Sequence, residues 1–292
     1  MRLRKWLLLV FALSLVVAAC GDDEGETTTT AAATTTAAAT TTAAATTTAA
    51  AAALELIEDG ILTIGSDVPY PPFEDFDSEG NVIGLDADLM NEIASRLGLE
   101  PRWLDTDFDT IFTQLAQGNF DVVASSVTLT AERAQMVSFT DGYYNTNQAF
   151  TVNTNETPDL TSTDGLVSGD AVAVQTGTTG EIWARENLEP NGIIVRSFTQ
   201  PPDCFNALES GDVMGTVIDV DPSLDAQANR PGLAVVEIIK TGELLAFGVN
   251  PEAPNLLAAV NRVFREMVAD GTYQEMYDAW ITRPDASILY EE

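Results

Sequence analysis

Short apolar runs typical of strands alternate along most of this chain with segments of helical period, and this alternation limits the possible folds more than any other feature. A strand-like run at 61–64 precedes a helical segment that opens at Gly84 and stops at Gly98, and a short strand at 101–104 precedes a helix at 108–115. Strands that alternate with helices predict βαβ units and a mostly parallel sheet. The sequence therefore predicts an α/β protein.

The alternation occurs in two sets. The second set begins with the strand-like AVAVQ at 171–175, and the chain closes with helical segments at 255–269 and 273–281. Between the sets, 139–152 and 243–249 have no helical period and are predicted to be extended. Two extended crossings between two α/β lobes would form a hinge.

Residues 1–19 have the pattern of a secretory signal peptide. Three cationic side chains, Arg2, Arg4 and Lys5, precede an apolar run that ends at Ala19. The run is well short of the ~20 residues that a helix needs to cross a bilayer. We therefore expect an exported protein.

Cys20 ends the sequence VAAC (17–20), which resembles the lipobox of bacterial lipoproteins. In those proteins, cleavage leaves the cysteine as a diacylglyceryl-modified, palmitate-bearing amino-terminus. An ordinary signal peptide followed by a chance cysteine is the alternative interpretation. The resemblance implies an extracytoplasmic protein anchored to the outer face of the cell membrane through lipid on Cys20.

The segment 20–53 is predicted to be a linker. From Thr27 to Ala53 every residue is Thr or Ala, so no large apolar side chain is present to offset the entropy of folding. Such a tract reaches about 30 Å as a coil and about 40 Å as a helix. Either length holds a folded domain clear of a membrane.

Composition excludes several classes of function. The formal net charge of −32 excludes nucleic acid as a partner, because phosphates demand a basic surface. The chain has no histidine, which removes Ser-His and Cys-His catalysis and the commonest metal ligand. Once Cys20 carries lipid, Cys204 is the one cysteine left, so an internal disulfide and a thiolate zinc site are out of reach. We expect no cofactor, no metal and no catalytic residue.

The loop after the first strand, in GILTIGSDVPYPPFE (60–74), predicts one wall of a binding cleft. Asp67 and Tyr70 follow the strand directly. Ligands of open α/β sheets lie beyond the carboxyl ends of the strands, so these two side chains fall where a ligand would be. An acidic and an aromatic group together suit a small cation.

Arg133 is the strongest candidate for binding an anion. Thr130 can cap a helix that starts at the next residue, which puts Arg133 in the first turn, where a cation opposes the helix macrodipole. The arrangement makes sense if a carboxylate binds between Arg133 and the N–H groups near Thr128. The alternative is a surface arginine paired with Glu132 or a neighbouring acid, and helix geometry leaves both interpretations open.

Two further places offer weaker signals. Thr178 and Thr179 lie in the turn TGTTG between a strand and a helix, where their N–H and hydroxyl groups could hold the same anion, although such a sequence is more often only a turn. Asp219 ends a strand and could accept an ammonium, or equally cap the turn before Pro222. With Arg133, these groups suit a zwitterion.

Six motifs, taken in order, look like those of the extracellular solute-binding proteins of polar amino-acid ABC transporters. They are GILTIGSDVPYPPFE, GLDADL, FDVVASSVTLTAERAQMVSFTDGYY, VQTGTTGE, GTVIDV and AVNRVFREMVADGTYQEMYDAW. The resemblance spans nearly all of 54–280 and implies a two-lobed venus-flytrap fold of the type II periplasmic-binding-protein kind, with a two-strand hinge. Lobe 1 would comprise 54–145 and 246–292, and lobe 2 would comprise 146–245.

The resemblance also implies roles for particular residues. Arg133 corresponds to the family's α-carboxylate arginine, assisted by Thr128 and Thr179, and Asp219 to its α-ammonium acceptor. Asp67 and Ser125 face the side-chain end of the ligand, and Tyr70 and Phe108 flank it. One departure is Gly180, where many relatives carry a larger polar residue such as Gln. The full predicted ligand set is Asp67, Tyr70, Phe108, Ser125, Ser126, Thr128, Arg133, Thr178, Thr179 and Asp219.

We therefore expect a monomeric, lipid-anchored receptor that binds a free extracellular amino acid and delivers it to an ABC transporter permease. Asp67 disfavours a second carboxylate on the ligand, so neutral polar or basic amino acids are expected before acidic ones. The rival is an enzyme that resembles the periplasmic cyclohexadienyl or arogenate dehydratases. It would need a general acid in the cleft, such as Glu74 or Glu181 with a raised pKa.

Overall fold

The computed structural model describes residues 53–281. The predicted signal peptide, Cys20 with its lipid, the linker as far as residue 52 and the end of the predicted lobe 1 from residue 282 all lie outside the described residues. Among the helices of the described part, none is long and apolar enough to cross a membrane.

Within residues 53–281, strands and helices alternate much as the sequence predicts. The strands are β1 (Ile61–Ser66), β2 (Asp75–Phe76), β3 (Val82–Ile83), β4 (Glu100–Asp105), β5 (Val122–Val123), β6 (Ser138–Phe139), β7 (Tyr144–Asn153), β8 (Ala171–Gln175), β9 (Ile194–Phe198), β10 (Gly215–Asp219), β11 (Leu233–Leu245) and β12 (Gly248–Val249). The helices are α1 (Leu85–Leu97), α2 (Phe108–Ala116), α3 (Thr179–Asn187), α4 (Pro201–Glu209), α5 (Val220–Asn229), α6 (Pro254–Asp270) and α7 (Thr272–Trp280). Single 3₁₀ turns lie at Arg133–Gln135, Thr163–Gly165 and Glu189–Asn191.

The strands form two five-stranded sheets, one in each lobe, and a small ribbon of β2 with β3. The first sheet has the order β4-β1-β5-β12-β6 and the second has the order β11-β7-β10-β8-β9. The two-lobed α/β prediction is confirmed, but the sheets are mixed rather than mostly parallel. In each sheet two neighbouring pairs are parallel and two are antiparallel. Every antiparallel pair in them includes β7 or β12, the strands by which the chain enters one sheet from the other, and neither strand has a helix directly before it to enforce a parallel return.

Two extended crossings connect the lobes. The chain leaves the first sheet through β6 and enters the second at β7, and it returns from β11 to β12. β7 and β11 pair antiparallel along nearly their whole length, from Tyr144 opposite Leu245 to Asn153 opposite Leu233. The polar side chains of these two strands are therefore held beside each other where the lobes meet.

Helices cover both faces of each sheet, as periodic apolar positions predict. In α1, Leu89, Met90 and Ile93 recur at helical spacing and are fully buried, which stabilises the lobe by about 1.5–3 kcal/mol for each side chain. The helix ends at Gly98, whose φ of 72° is the left-handed conformation that favours glycine. α1 and α6 share one apolar core of the first lobe, and α2 lies in another. The second lobe repeats this plan, with α3 in one core and α4 in the other.

One helix differs from the sequence interpretation of its segment. The pattern indicated a turn before Pro222, whereas α5 begins at Val220, directly after β10. Proline in the first turn of a helix removes an N–H that would have no partner in any case, so Pro222 is compatible with the helix start. Asp219 is consequently the last residue of a strand and the residue before a helix.

Candidate functional site

A cavity lies between the two lobes, at the edge where strands of both sheets end. All ten predicted ligand residues line it. They come from the loops after β1 and β5, the start of α2, the turn before Arg133, the turn between β8 and α3, and the end of β10. Side chains that sequence reasoning left out of the predicted set also line the cavity, namely Glu74, Gln148, Gln175 and Ile218.

Arg133 is buried at one side of this cavity. Its backbone N–H donates to Thr130 Oγ1 at 3.1 Å, but the predicted helix from Ala131 with Thr130 as its cap is wrong, because the segment forms a single 3₁₀ turn, Arg133–Gln135, whose N-cap is Glu132. The residue is only 8% exposed. No carboxylate oxygen of the described residues lies within 4.0 Å of its nitrogens, so the alternative of a surface arginine paired with Glu132 is wrong.

The Arg133 guanidinium is held by carbonyls and rings. Nη1 donates to the Thr128 carbonyl at 2.8 Å and Nη2 donates to the Gly177 carbonyl at 3.1 Å. The group lies over the rings of Phe108 and Phe112, with centroids at 5.2 and 4.8 Å. Burial lowers the pKa of Arg133 to about 10. Guanidinium has five N–H donors, so donors remain for an anion in the cavity.

Asp219 supplies a buried carboxylate to the same cavity. It is 6% exposed, and it makes no capping hydrogen bond to α5, so the alternative role as a cap is not realised. The Tyr70 hydroxyl and the Gln148 side-chain amide hydrogen-bond to this carboxylate. Burial, followed by the charge of Glu243, raises its pKa well above the usual range. A cation beside Asp219 would relieve both effects.

Glu243, on β11, is a buried acid that sequence reasoning treated only as the start of an extended crossing. Its Oε2 accepts from the hydroxyls of Thr128 and Thr179, each at 2.6 Å, and its Oε1 accepts from Gln148 at 2.9 Å. A threonine hydroxyl has one proton, so in this arrangement neither Thr128 nor Thr179 has a hydroxyl proton left for an anion.

The turn between β8 and α3 retains backbone donors. Thr178 caps α3, because its Oγ1 accepts from the Glu181 N–H at 3.1 Å while its hydroxyl donates to the Gln175 carbonyl at 2.8 Å. Thr179 is the first residue of α3, and the N–H groups of a first helical turn have no acceptor within the helix. The anion-binding capacity of this turn therefore lies in backbone N–H groups rather than in hydroxyls.

Asp67 lies at another part of the cavity and connects the two lobes. Its Oδ2 accepts from Gln175 Nε2 and its Oδ1 from Gln200 Nε2, both at 2.6 Å, and the Phe108 N–H approaches Oδ2 at 3.3 Å. Burial raises the pKa of Asp67 to about 6, against the lowering effect of these hydrogen bonds. Gln175 ends β8, so the strand-end rule that identified Asp67 applies to it also.

Glu74 and the two serines form an acidic region next to Asp67. Glu74 is fully buried and accepts from Ser125 Oγ at 3.3 Å and Ser126 Oγ at 3.2 Å. Ser126 has a φ of 49°, uncommon for a residue other than glycine, and its N–H donates to the buried Asp86 at 3.0 Å. Burial raises the pKa of Asp86 to about 7 and that of Glu74 well above its usual range.

Glu181, the other candidate for a general acid, is engaged outside this cavity. It accepts from Arg185 at 2.8 Å, from the Ser197 hydroxyl at 2.6 Å and from the Gly177 N–H at 2.7 Å. Burial acts to raise its pKa, but these hydrogen bonds outweigh it and the pKa is lowered. A lowered pKa is unsuited to a general acid at neutral pH.

Comparison with known proteins identifies related sequences. The family model described as bacterial extracellular solute-binding proteins, family 3, matches residues 62–283. The histidine-binding periplasmic protein of Salmonella typhimurium is 28% identical over 223 residues, covering 74% of this chain and 85% of the relative. The lysine/arginine/ornithine-binding periplasmic protein of Escherichia coli is 27% identical over 221 residues, covering 73% and 84%.

Solved structures of amino-acid-binding proteins also resemble this chain. A mutant of ArgBP from T. maritima has a TM-score of 0.72 at 33% identity, covering 77% of this chain and 96% of the other. An ancestral arginine-binding protein bound to arginine has a TM-score of 0.72 at 32% identity, covering 76% and 98%. An ancestral amino-acid-binding protein, described as a precursor of cyclohexadienyl dehydratase, has a TM-score of 0.71 at 33% identity, covering 76% and 95%.

Proposed function

This chain belongs to family 3 of the bacterial extracellular solute-binding proteins, and we propose that it binds a free amino acid between its lobes and delivers it to an ABC transporter permease. One observation carries the proposal: a buried arginine without a carboxylate partner among the described residues, Arg133, lines the same cavity as the buried carboxylate of Asp219. The α-carboxylate and α-ammonium of an amino acid match this pair of opposite charges.

Physical chemistry supports a zwitterion as the occupant. A buried charge without a partner is costly, and a ligand group of opposite sign relieves that cost. The α-carboxylate would bind the remaining N–H donors of Arg133 and the backbone N–H of Thr179. The α-ammonium would bind Asp219. Tyr70 and Phe108 would flank the bound molecule.

The acids near Ser125 and Ser126 favour a ligand with a basic side chain. Asp67 and Glu74 both line the cavity, and Arg133 is the one cation among its described lining residues. A ligand carboxylate at this end would face the charge of Asp67, whereas a cationic group would be attracted to Asp67 and would favour the ionised form of Glu74. We therefore place basic amino acids first, neutral polar ones second and acidic ones last. The histidine-binding and lysine/arginine/ornithine-binding relatives are consistent with this order.

A thermal-shift screen over the common amino acids tests the proposal. Ligand at 100 times its dissociation constant stabilises the folded state by about 2.7 kcal/mol. For a domain of this size that corresponds to a rise in Tm of about 5–11 °C. Arginine, lysine and ornithine should give the largest shifts. If no amino acid at millimolar concentration raises Tm, the protein does not have the proposed function.

Glu74 favours a second candidate function, a dehydratase of the cyclohexadienyl or arogenate type. Of Glu74 and Glu181, the two acids considered for this role, Glu74 is the one that has both features such an enzyme would need, a place in the cavity and a raised pKa. Incubation with arogenate or prephenate, followed by chromatography for the aromatic product, tests this candidate. A Glu74→Gln variant is the matched control, because it removes the acid while keeping the shape. Aromatic product formed by the wild type and not by Glu74→Gln would establish dehydratase activity that depends on Glu74.

The amino-terminal segment and the lobes complete the proposed mechanism. Lipid on Cys20 would hold a monomer at the outer face of the membrane, with 20–53 as the tether. Lobe 1 (54–145 and 246–292) and lobe 2 (146–245) would close on the ligand by motion at the two crossings. Two separate five-stranded sheets, joined by the crossings from β6 to β7 and from β11 to β12, support this division.

A further inference from the structure

We propose that Gln148, on the first crossing strand, is a positioning residue for the Asp219 carboxylate, and that Gly180 is required because it leaves room for Gln148. The inference rests on the proposed binding of an amino acid, in which Asp219 holds the ammonium.

The Gln148 side chain joins two buried carboxyl groups. Gln148 is 1% exposed and lies directly opposite Asp219 in the pairing of β7 with β10, so both side chains point to the same face of the sheet. Its Nε2 donates to Asp219 and, at 2.9 Å, to Glu243. A side-chain amide has two N–H hydrogens, and these two carboxylates take both.

The orientation of this amide follows from charge. When Asp219 and Glu243 are ionised, as ammonium binding requires of Asp219, a carbonyl oxygen facing them would place three acceptors together without a proton between them, so the NH₂ group faces the two acids. The carbonyl Oε1 is then turned away, and it has no hydrogen-bond partner within the described residues. The bonds of Nε2, rather than any bond of Oε1, therefore fix the position of Gln148.

Asp219 depends on this bridge because acids surround it. Burial, followed by the charges of Glu243 on β11 and Asp221 on α5, raises its pKa, while hydrogen bonds from Tyr70 and Gln148 lower it. Arg133 is the cation that faces this group. Binding of an ammonium requires an ionised Asp219, so removal of the Gln148 N–H should shift the loss of affinity to higher pH.

Gly180 is packed against the far end of the same amide. It is the second residue of α3, and a Cβ at this position would lie 2.7 Å from Gln148 Oε1 and 2.9 Å from the Val217 carbonyl. The Val217 backbone in β10 cannot move as easily as a side chain, so the Gln148 side-chain amide would move. Since Oε1 and Nε2 belong to one rigid group, a side chain at 180 displaces Nε2 from its position between Asp219 and Glu243.

A double-mutant cycle tests the coupling of these two positions. We expect Gln148→Ser and Gly180→Ala each to lower the affinity for the amino acid found in the screen by about ten-fold or more, since a hydrogen bond to a charged group is lost. In the Gln148→Ser background, Gly180→Ala should cost clearly less than it does in the wild type, because the contact with the amide is gone and only the 2.9 Å contact with the Val217 carbonyl remains. Isothermal calorimetry measures the four dissociation constants. Equal effects of Gly180→Ala in both backgrounds would overturn the inference.

A second measurement does not depend on ligand. Carbon-detected NMR of the ligand-free protein follows the titration of the Asp219 carboxyl, and Gln148→Met should raise its pKa while the exposed control Gln135→Met should not. An unchanged Asp219 titration in Gln148→Met would overturn the inference even if the cycle agreed. If the wild type binds no amino acid, the proposed function fails, and the carboxyl titration still decides the role of Gln148.

Discussion

Replacement of Arg133 by alanine should lower the affinity for every amino acid that the protein binds. Arg133 is 8% exposed and its guanidinium lies over two aromatic rings, so its interaction with a ligand carboxylate takes place largely out of water. Removing one partner of a buried charge pair leaves the other desolvated, which costs roughly 2–5 kcal/mol, or about thirty-fold to several thousand-fold in affinity. Calorimetry against a panel of amino acids measures the loss.

Two control variants separate recognition from folding. Arg262→Ala removes an arginine that is 58% exposed and paired with Glu266 on the surface of α6, so it should leave affinity unchanged. Arg133→Lys keeps the positive charge but loses the planar fork, so its affinity should fall between those of wild type and Arg133→Ala. Circular dichroism confirms that each variant is folded.

The affinities of the variants across the panel of amino acids test whether Arg133 binds the α-carboxylate. Asp219→Ala should resemble Arg133→Ala, because both remove a group for the common part of all amino acids. If Arg133→Ala is folded and binds the preferred amino acid within a factor of three of wild type, the carboxylate subsite has been placed wrongly. A loss confined to one class of ligand would likewise contradict the assignment, since Arg133 would then contact a side chain.

The other predictions concern selectivity, anchoring and closure. Asp67→Ala should change which amino acid is preferred. Burial raises the pKa of Asp67 to about 6, so the affinity of the wild type for a basic ligand should fall as the pH decreases through 6, while its affinity for a neutral ligand changes little. Calorimetry measures both effects. Cys20→Ser should leave the protein soluble or uncleaved, with unaltered affinity; equal detergent partitioning of mutant and wild type would argue against lipidation. Small-angle scattering should show compaction on ligand addition through motion near 144–151 and 244–247, and a constant radius of gyration at saturation would exclude closure.

Strand ends were the part of the site that sequence reasoning could find. Asp67, Tyr70 and Asp219 each follow or end an apolar run, and parallel strands bring such positions to one edge of a sheet. Arg133 was recognisable for another local reason, a cation in a turn where helix geometry disfavours one. These signals lie within a few residues of each position, so they require no knowledge of which strands become neighbours.

Gln148, Glu243 and Gln200 had no comparable local signal. Gln148 and Glu243 lie within long extended segments, and they enter the site only because β7 pairs with β10 and β11. Gln200 reaches Asp67 from the residue before α4, across the boundary between lobes. Thr128 and Thr179 line the cavity as predicted, but their hydroxyls donate to Glu243. The motifs that contain the two threonines give no sign of this partner, because Glu243 lies far away in the chain.

The sequence by itself determined the two-lobed α/β fold and the charges that line the cleft, because apolar periodicity and strand-end chemistry are local properties of the chain, and its six ordered motifs carried the resemblance to the family. Only the tertiary structure decided which polar groups face each other: the bridge of Gln148 between Asp219 and Glu243, the space at Gly180 and the mixed direction of the sheets. Those features depend on the register of strands far apart in the chain, and a shift of one residue in that register would turn each side chain to the opposite face of its sheet.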